Sequence, residues 1–445
     1  MKCSAIYQWL LLLLPSVIHA QPAEHHFSLK DAVHYATDYH PGIQRSSYEL
    51  DKYNQKFREQ LSGYLPQIKA DAAYTNNLRL ITQIIPGEFL GQPGQDQAVQ
   101  FGTKYNASAG IELTQTVIDF EKITGQKLAR QSRRIGLLDK QKAAEQIVYD
   151  VSTAYIAAQV TFLQQEIVNE NVQRVDTLLA MVQIQLDNGF AGTLDLKRLQ
   201  LERTSLQTQL QSAQMEYRQS ITLLKYTMAY PLEDALSIDA QLAQSTYGPL
   251  VGQRQPRQPV EYQLLAASRD LSALRHKQAK LSYLPKLSFN FKYGALAQQN
   301  HPNVLRTTAN WYPNSLASLN ISIPIFDGNF KGSRVKQLQL EQLQIELDLR
   351  ISSLQQDKDL SNASHKLDAS NANMVTTKQS MALAADVYNI TYAQFQYGYT
   401  PLKELLDMHL QLKETQTAYL RAIVEAQSAE LQWLKASGNL ALITK

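Results

Sequence analysis

Cysteine is nearly absent: the 445 residues hold one, Cys3, which excludes a disulfide framework or a thiolate metal site. No stretch has eighteen consecutive apolar residues. A membrane-crossing helix is therefore not expected, and any membrane span has to be made of strands. An excess of one charge is missing too, since 43 Lys and Arg against 40 Asp and Glu leave +3. With no basic block and no aromatic-interleaved basic stripe, nucleic acid is not an expected partner. His276, His365 and His409 are scattered without metal-ligand spacing, and His25-His26 have only Glu24 nearby. The glycines around Gly91 and Gly94 do not follow a strand and open a helix as a phosphate loop would. No nucleophile and base constellation is present, so neither an enzyme nor a cofactor nor a bound metal is expected.

Proline and glycine are also scarce where the chain is most regular. From about Ile123 to Leu186 there is no proline, and the only glycines are Gly125 and Gly136. Such a helix would be roughly 95 Å long at 1.5 Å per residue. Ile147, Val151, Ala154 and Ala158, then Val168, Val172, Val175, Leu179, Val182 and Leu186, recur at four-and-three spacing. That period makes a coiled-coil seam, so the helix needs partners along its length.

Taken in order, Lys2, an apolar run from Trp9 to Leu14 and Ala20 before Gln21 form an export-signal pattern over 1–20, which would also remove Cys3. Residues 21–66 read as helix, capped by Ser28 and interrupted at His40-Pro41-Gly42, ending at Tyr64-Leu65-Pro66. Over 67–118 the period turns to two, first through Ile68, Ala70, Ala72 and Tyr74, then through Tyr105, Ala107, Ala109, Ile111 and Leu113. A loop over 76–102, punctuated by Pro86-Gly87, Gly91 and Pro93-Gly94, separates the two strands. Residues 119–230 are expected to form a long helical hairpin, turning at Asp187-Asn188-Gly189 and resuming at Thr193, with Gly189 a natural left-handed position. A polar connector, 231–259, follows. The order then repeats, with a short helix over 260–285, a second strand pair with its loop over 286–327, a second long hairpin over 328–436 turning at Gly398, and a tail over 437–445. Tyr64 to Tyr283 is 219 residues, Asp119 to Asp327 is 208 and Gly189 to Gly398 is 209. The chain is internally duplicated.

Each strand has one apolar and one polar face. Four such strands are too few to close around water, but three chains would supply twelve, an even-stranded barrel without free edges. Ile111, Phe289, Phe291, Leu319, Ile321 and Ile323 would then face lipid, and Lys286, Asn290, Asn320 and Ser322 the inside. Tyr293, Trp311 and Tyr312 fit an interfacial aromatic belt. The same homotrimer would gather the helices into a coiled-coil tunnel on one side of the membrane, ending at the Gly189 and Gly398 turns.

At this point the sequence resembles the outer membrane efflux protein family, the TolC-like channels of Gram-negative bacteria. The likeness is carried by Ser28-Leu29 with Ala32, Ala36 and His40-Pro41, by Tyr64-Leu65-Pro66 and its echo Tyr283-Leu284-Pro285, by Ile321 through Gly328, and by Phe395 through Gly398 with Leu402, Leu405 and Leu406. It implies a mixed α/β membrane protein: a homotrimer whose twelve-stranded barrel sits in the outer membrane and continues as a helical tunnel into the periplasm. It also implies partners, a periplasmic adaptor at the tunnel tip and an inner-membrane pump beyond it. The tip residues would be Asn188, Gly189, Phe190, Thr193, Gly398, Tyr399, Thr400 and Leu402, and the connector would belong to a belt around the tunnel. Family members constrict the tip with acids just before the second turn. Here the nearest acid on that helix is Asp386, and closer positions read Asn389, Tyr392 and Gln394, a departure from that pattern. Asp187, Asp195, Asp386 and Tyr392 are the gate candidates. The implied function is a passive exit duct for small molecules such as drugs or metal ions. A polypeptide secretion channel on the same fold and a soluble periplasmic coiled-coil adaptor are the alternatives.

Overall fold

A computed structural model describes residues 25–91, 94–239, 256–306 and 309–443. The expected export signal and most of the connector lie outside the described residues. Contacts divide the chain into two compact units, one holding Arg45–Gln141 and Val260–Leu354, the other the remainder.

The first unit is built on a four-stranded antiparallel sheet. Its strands are β2 (Gln67–Asn76), β5 (Tyr105–Ile118), β7 (Lys286–Gln299) and β8 (Trp311–Ser322), ordered β2-β5-β7-β8. The register keeps like faces together: Ala70 opposes Ile111, Ile111 opposes Tyr293, Phe291 opposes Ala317 and Phe289 opposes Leu319. A bulge between Thr116 and Ile118 ends the β5–β7 ladder where the chain must leave the sheet. Four helices pack in the same order as the strands: α2 (Pro41–Ser62), the start of α3 (Phe120–Asp187), α5 (Val260–Leu281) and the start of α6 (Phe330–Gln396). The Tyr53 ring lies over Gly136, leaving no room for a Cβ there. Gln131 Nε2 donates to Ala267 O at 3.0 Å, Gln278 Nε2 to Glu121 O at 3.1 Å, and Arg275 meets Glu341 at 3.6 Å.

The second unit packs the rest of α3 and α6 with α1 (Leu29–Tyr39), α4 (Thr193–Met228) and α7 (Leu402–Ala436). Ser28 caps α1 in a capping box with Asp31. One apolar cluster joins Ala32, Val33 and Ala36 of α1 to Val151, Tyr155, Leu224, Met228, Ala429 and Leu434. Here two three-residue strands, β1 (His25–Phe27) and β6 (Leu236–Ile238), pair in parallel. Tyr155 Oη donates to Phe27 O at 2.9 Å and accepts from Asp239 N at 3.2 Å, tying β1 and the end of β6 to α3. A second cluster gathers Val175, Leu178, Leu199, Leu206, Leu405 and Leu412 with Tyr388 and Phe395.

Three local expectations change. The loop over 76–102 contains a hairpin of β3 (Ile81–Ile85) and β4 (Gln97–Phe101), because Ile81, Ile84 and Ile85 favour extended backbone and Pro86-Gly87 punctuates the turn rather than the whole segment. Pro313, which the sequence places in the loop before the strand, is the third residue of β8 and opposes Ala295, near the strand's start where a missing N–H disturbs the ladder least. Ile323, expected to face lipid from the strand, sits one residue past the end of β8, since Pro324 has no N–H with which to extend the ladder.

Candidate functional site

Two surfaces carry the residues singled out from sequence: the turns of the helical hairpins and the apolar face of the sheet.

Both turns use the same device. After α3, Gly189 takes a left-handed φ of 80°, its N–H bonds Leu186 O at 2.9 Å and Phe190 N–H bonds Gln185 O at 2.8 Å. After α6, Gly398 takes φ 78°, with Gly398 N–H on Phe395 O at 3.0 Å and Tyr399 N–H on Gln394 O at 2.9 Å. These paired bonds satisfy carbonyls that a helix end leaves open, and the left-handed residue favours glycine. The device throws one aromatic outward from each turn, Phe190 at 86% exposure and Tyr399 at 81%. Asn188 and Thr193 are exposed beside Phe190. Thr400 and Leu402 differ from the expectation of a contact surface, because both are buried: Thr400 Oγ1 bonds Gln394 Oε1 at 3.1 Å and Leu402 joins the second apolar cluster.

The gate candidates take four different positions. Asp187 accepts from Gln183 Nε2 at 2.8 Å and Asp195 from Arg198 at 3.4 Å, while Asp386 is exposed on α6. Tyr392 is half-buried, stacks on Tyr388 at 6.2 Å and meets Met181 Sδ of α3 at 3.4 Å. The structure therefore brings Tyr392 into the packing between helices and does not gather the three acids around it.

Sequence reasoning missed a polar layer in these helices. Asn171 Nδ2 meets Gln416 Oε1 at 3.2 Å, Lys413 meets Glu202 at 3.4 Å, and Arg203 meets Asp176 at 2.5 Å. His409 lies among them, 1% exposed and against Tyr388 at 5.8 Å, with neither ring nitrogen hydrogen-bonded. Burial pushes its pKa down from 6.5 to about 4, so the ring is neutral. The signal was present in the spacing of Leu402, Leu405, His409, Leu412 and Gln416, which places His409 on the seam.

On the sheet, Ile68, Ile111, Phe291, Leu319 and Ile321 share an exposed apolar face, with Leu319 and Ile321 both at 68%, while Phe289 is half-buried. On the opposite face Lys69, Glu112 and Lys292 stand side by side, with Glu112 paired to the lysines at 3.0 and 3.3 Å. Strands β2 and β8 are both open edges. Among the described residues no helix is long and apolar enough to cross a membrane.

The family model described as outer membrane efflux protein matches residues 261–439, most of the second repeat and none of the first. No curated protein matches the chain. In fold the chain is similar to CusC, whose crystal structures concern transmembrane channel formation, at TM-score 0.72 and 15% identity over 92% of each chain. It is likewise similar to the outer membrane protein VceC of Vibrio cholerae, at 0.71 and 14% over 92% of this chain and 96% of that one. The Campylobacter jejuni CmeC outer membrane channel gives 0.71 and 12%, over 92% and 85%. Residues 261–439 thus match the outer membrane efflux protein family by sequence, and the chain as a whole shares the fold of these channels over both repeats.

Proposed function

We propose that three copies of this chain close a twelve-stranded barrel in the outer membrane and act as the passive exit duct of an efflux assembly. The observation that carries this reading is the sheet itself: four antiparallel strands with two open edges and one exposed apolar face. An open edge beside an apolar face is unstable in lipid, because its N–H and C=O groups would go unpaired, and closure with copies of the chain removes it. Residues 67–118 and 286–327 supply the barrel, and the hairpins of 119–230 and 328–436 supply the conduit. The exposed Phe190 and Tyr399, on rigid glycine turns, form the surface for a periplasmic adaptor that couples the duct to an inner-membrane pump. Small molecules are the cargo, and the duct contributes a polar path rather than energy.

The test is to purify the mature chain in detergent, measure its oligomeric mass and insert it into planar bilayers. A trimer that conducts ions is the expected result. A water-soluble monomer with no conductance would overturn the reading and favour the periplasmic scaffold.

A further inference from the structure

The helices next to the strands carry cations on both sides, but two of those on the inner side are paired, Arg275 with Glu341 at 3.6 Å and Lys331 with Asp327 at 3.5 Å. A cavity of about 680 Å³ in this layer is lined on α3 by Glu121, Gly125, Leu128 and Ser132. Glu121 holds Lys286 Nζ at 2.8 Å, and Lys286 begins the polar face of β7, so the cavity lies on the side of the sheet's polar face. Two residues further along a helix is a rotation of about 200°. The residues two beyond those cavity positions are Ile123, Lys127, Arg130 and Arg134, on the opposite side and continuous with the apolar face of the sheet. Phe120 and Ile123 are exposed there, and the cations follow them away from the strands.

The other helices repeat the opposition two residues apart. Gln60 lines the cavity and Arg58 faces away on α2, as do Gln278 and Lys280 on α5, and Leu338 and Lys336 on α6. Arg58, Lys127, Arg130, Lys280 and Lys336 are all exposed, within a few turns of a strand end, whereas Arg134, farther from the strands, is paired with Asp270 at 3.9 Å. Among the described residues none of Arg58, Lys127, Arg130 and Lys280 has a carboxylate partner. An apolar band followed by unpaired cations is the order met when leaving a bilayer, where phosphate headgroups lie just beyond the acyl chains.

We propose that this outward collar of Arg58, Lys127, Arg130, Lys280 and Lys336 binds anionic phospholipid headgroups of the periplasmic leaflet. The proposal rests on the barrel reading above. Each chain presents the collar once, so a closed trimer would ring itself with it, and the contacts would fix the depth of the barrel in the membrane. The attraction acts over roughly 8 Å at physiological salt and is short-ranged at 1 M.

The test uses the full-length mature chain in nanodiscs of equal phosphatidylglycerol and phosphatidylcholine, extracted and weighed by native mass spectrometry. The expected result is a several-fold excess of retained phosphatidylglycerol, abolished in 1 M salt. The quadruple variant Arg58→Gln, Lys127→Gln, Arg130→Gln, Lys280→Gln should bring retention to parity while still forming a conducting trimer. The cavity-side variant Lys56→Gln, Arg334→Gln should keep the excess. Equal retention by the unaltered protein would overturn the proposal, as would an excess that survives the quadruple change. Loss of the excess only in the cavity-side variant would move the anion to the interior and overturn it as well. A chain that fails to conduct in pure phosphatidylcholine would sink the barrel reading and the collar with it, whereas conduction without lipid preference sinks the collar alone.

Discussion

His409 turns a packing detail into a pH dependence. Its ring faces Arg174 of α3, Glu202 of α4, Tyr388 of α6 and Lys413 of its own helix α7. Burial is the main cause of its lowered pKa, and the two cations act in the same direction while Glu202 opposes them. Above about pH 6.5 the ring is neutral folded or unfolded, and pH has no effect through it. As pH falls from 6.5 toward about 4, the unfolded chain takes up a proton that the folded ring refuses, so stability is lost. The loss is about 1.4 kcal/mol per pH unit, on the order of 3 kcal/mol in all. The protection factors of the α7 amides near His409, in which the intrinsic pH dependence of exchange is divided out, should therefore fall between pH 6.5 and 4.5, and His409→Leu should flatten that slope. Equal slopes in the two proteins would show that another group carries the effect. From sequence this histidine was legible as a seam residue by its spacing, but its isolation from any partner depends on which side chains three other helices bring to it. For the same reason the burial of Thr400 and Leu402 was not legible: the turn itself can be read from Gly398, whereas the packing that covers its neighbours is set by α3 and α4.

At the scale of the element, periodicity carried most of the information. The helices α3 and α6 end at Asp187 and Gln396, beside the turns read at Gly189 and Gly398, because no proline or turn residue stops either helix before those glycines. Strands β2, β5, β7 and β8 were visible for a matching reason, a period of two beside turn residues. What escaped were β3 and β4, short and set among glycines and prolines, and β1 and β6, whose three residues are too few to show a period. The faces of the main sheet can be tested by moving one residue. Ile321 opposes Leu287 on the apolar face, and Asn320 opposes Ser288 on the polar one. Ile321→Arg should weaken membrane assembly by roughly 2 to 4 kcal/mol near the midplane, and Asn320→Arg by much less. Heat-resistant oligomer on gels, compared between the two variants, reads the difference directly. Similar losses at both positions would reassign the faces.

For the whole molecule the question is what lies beside the two open strands. Within one chain β2 and β8 are separated by β5 and β7, so at about 4.8 Å per strand spacing they stand roughly 14 Å apart across the sheet. A disulfide needs Cα atoms within about 7 Å. A cysteine on β2 and one on β8 therefore cannot bridge inside one flat sheet, and the sequence after Cys3 holds no cysteine to compete with them. Ala72 of β2 and Ala317, Leu319 and Ile321 of β8 lie on the apolar face. Strand directions alternate across the sheet, so a neighbour's β2 would meet β8 antiparallel, as the existing pairs do. Ala72→Cys combined in turn with Ala317→Cys, Leu319→Cys or Ile321→Cys should give, for the partner in register, bands at two and three times the chain mass on non-reducing gels. The three-fold band would be the circular species and should migrate apart from a linear trimer, collapsing to one chain on reduction. A ladder running past three would mean that the edges pair without closing, and a monomer band alone for every partner would mean that the edges never meet.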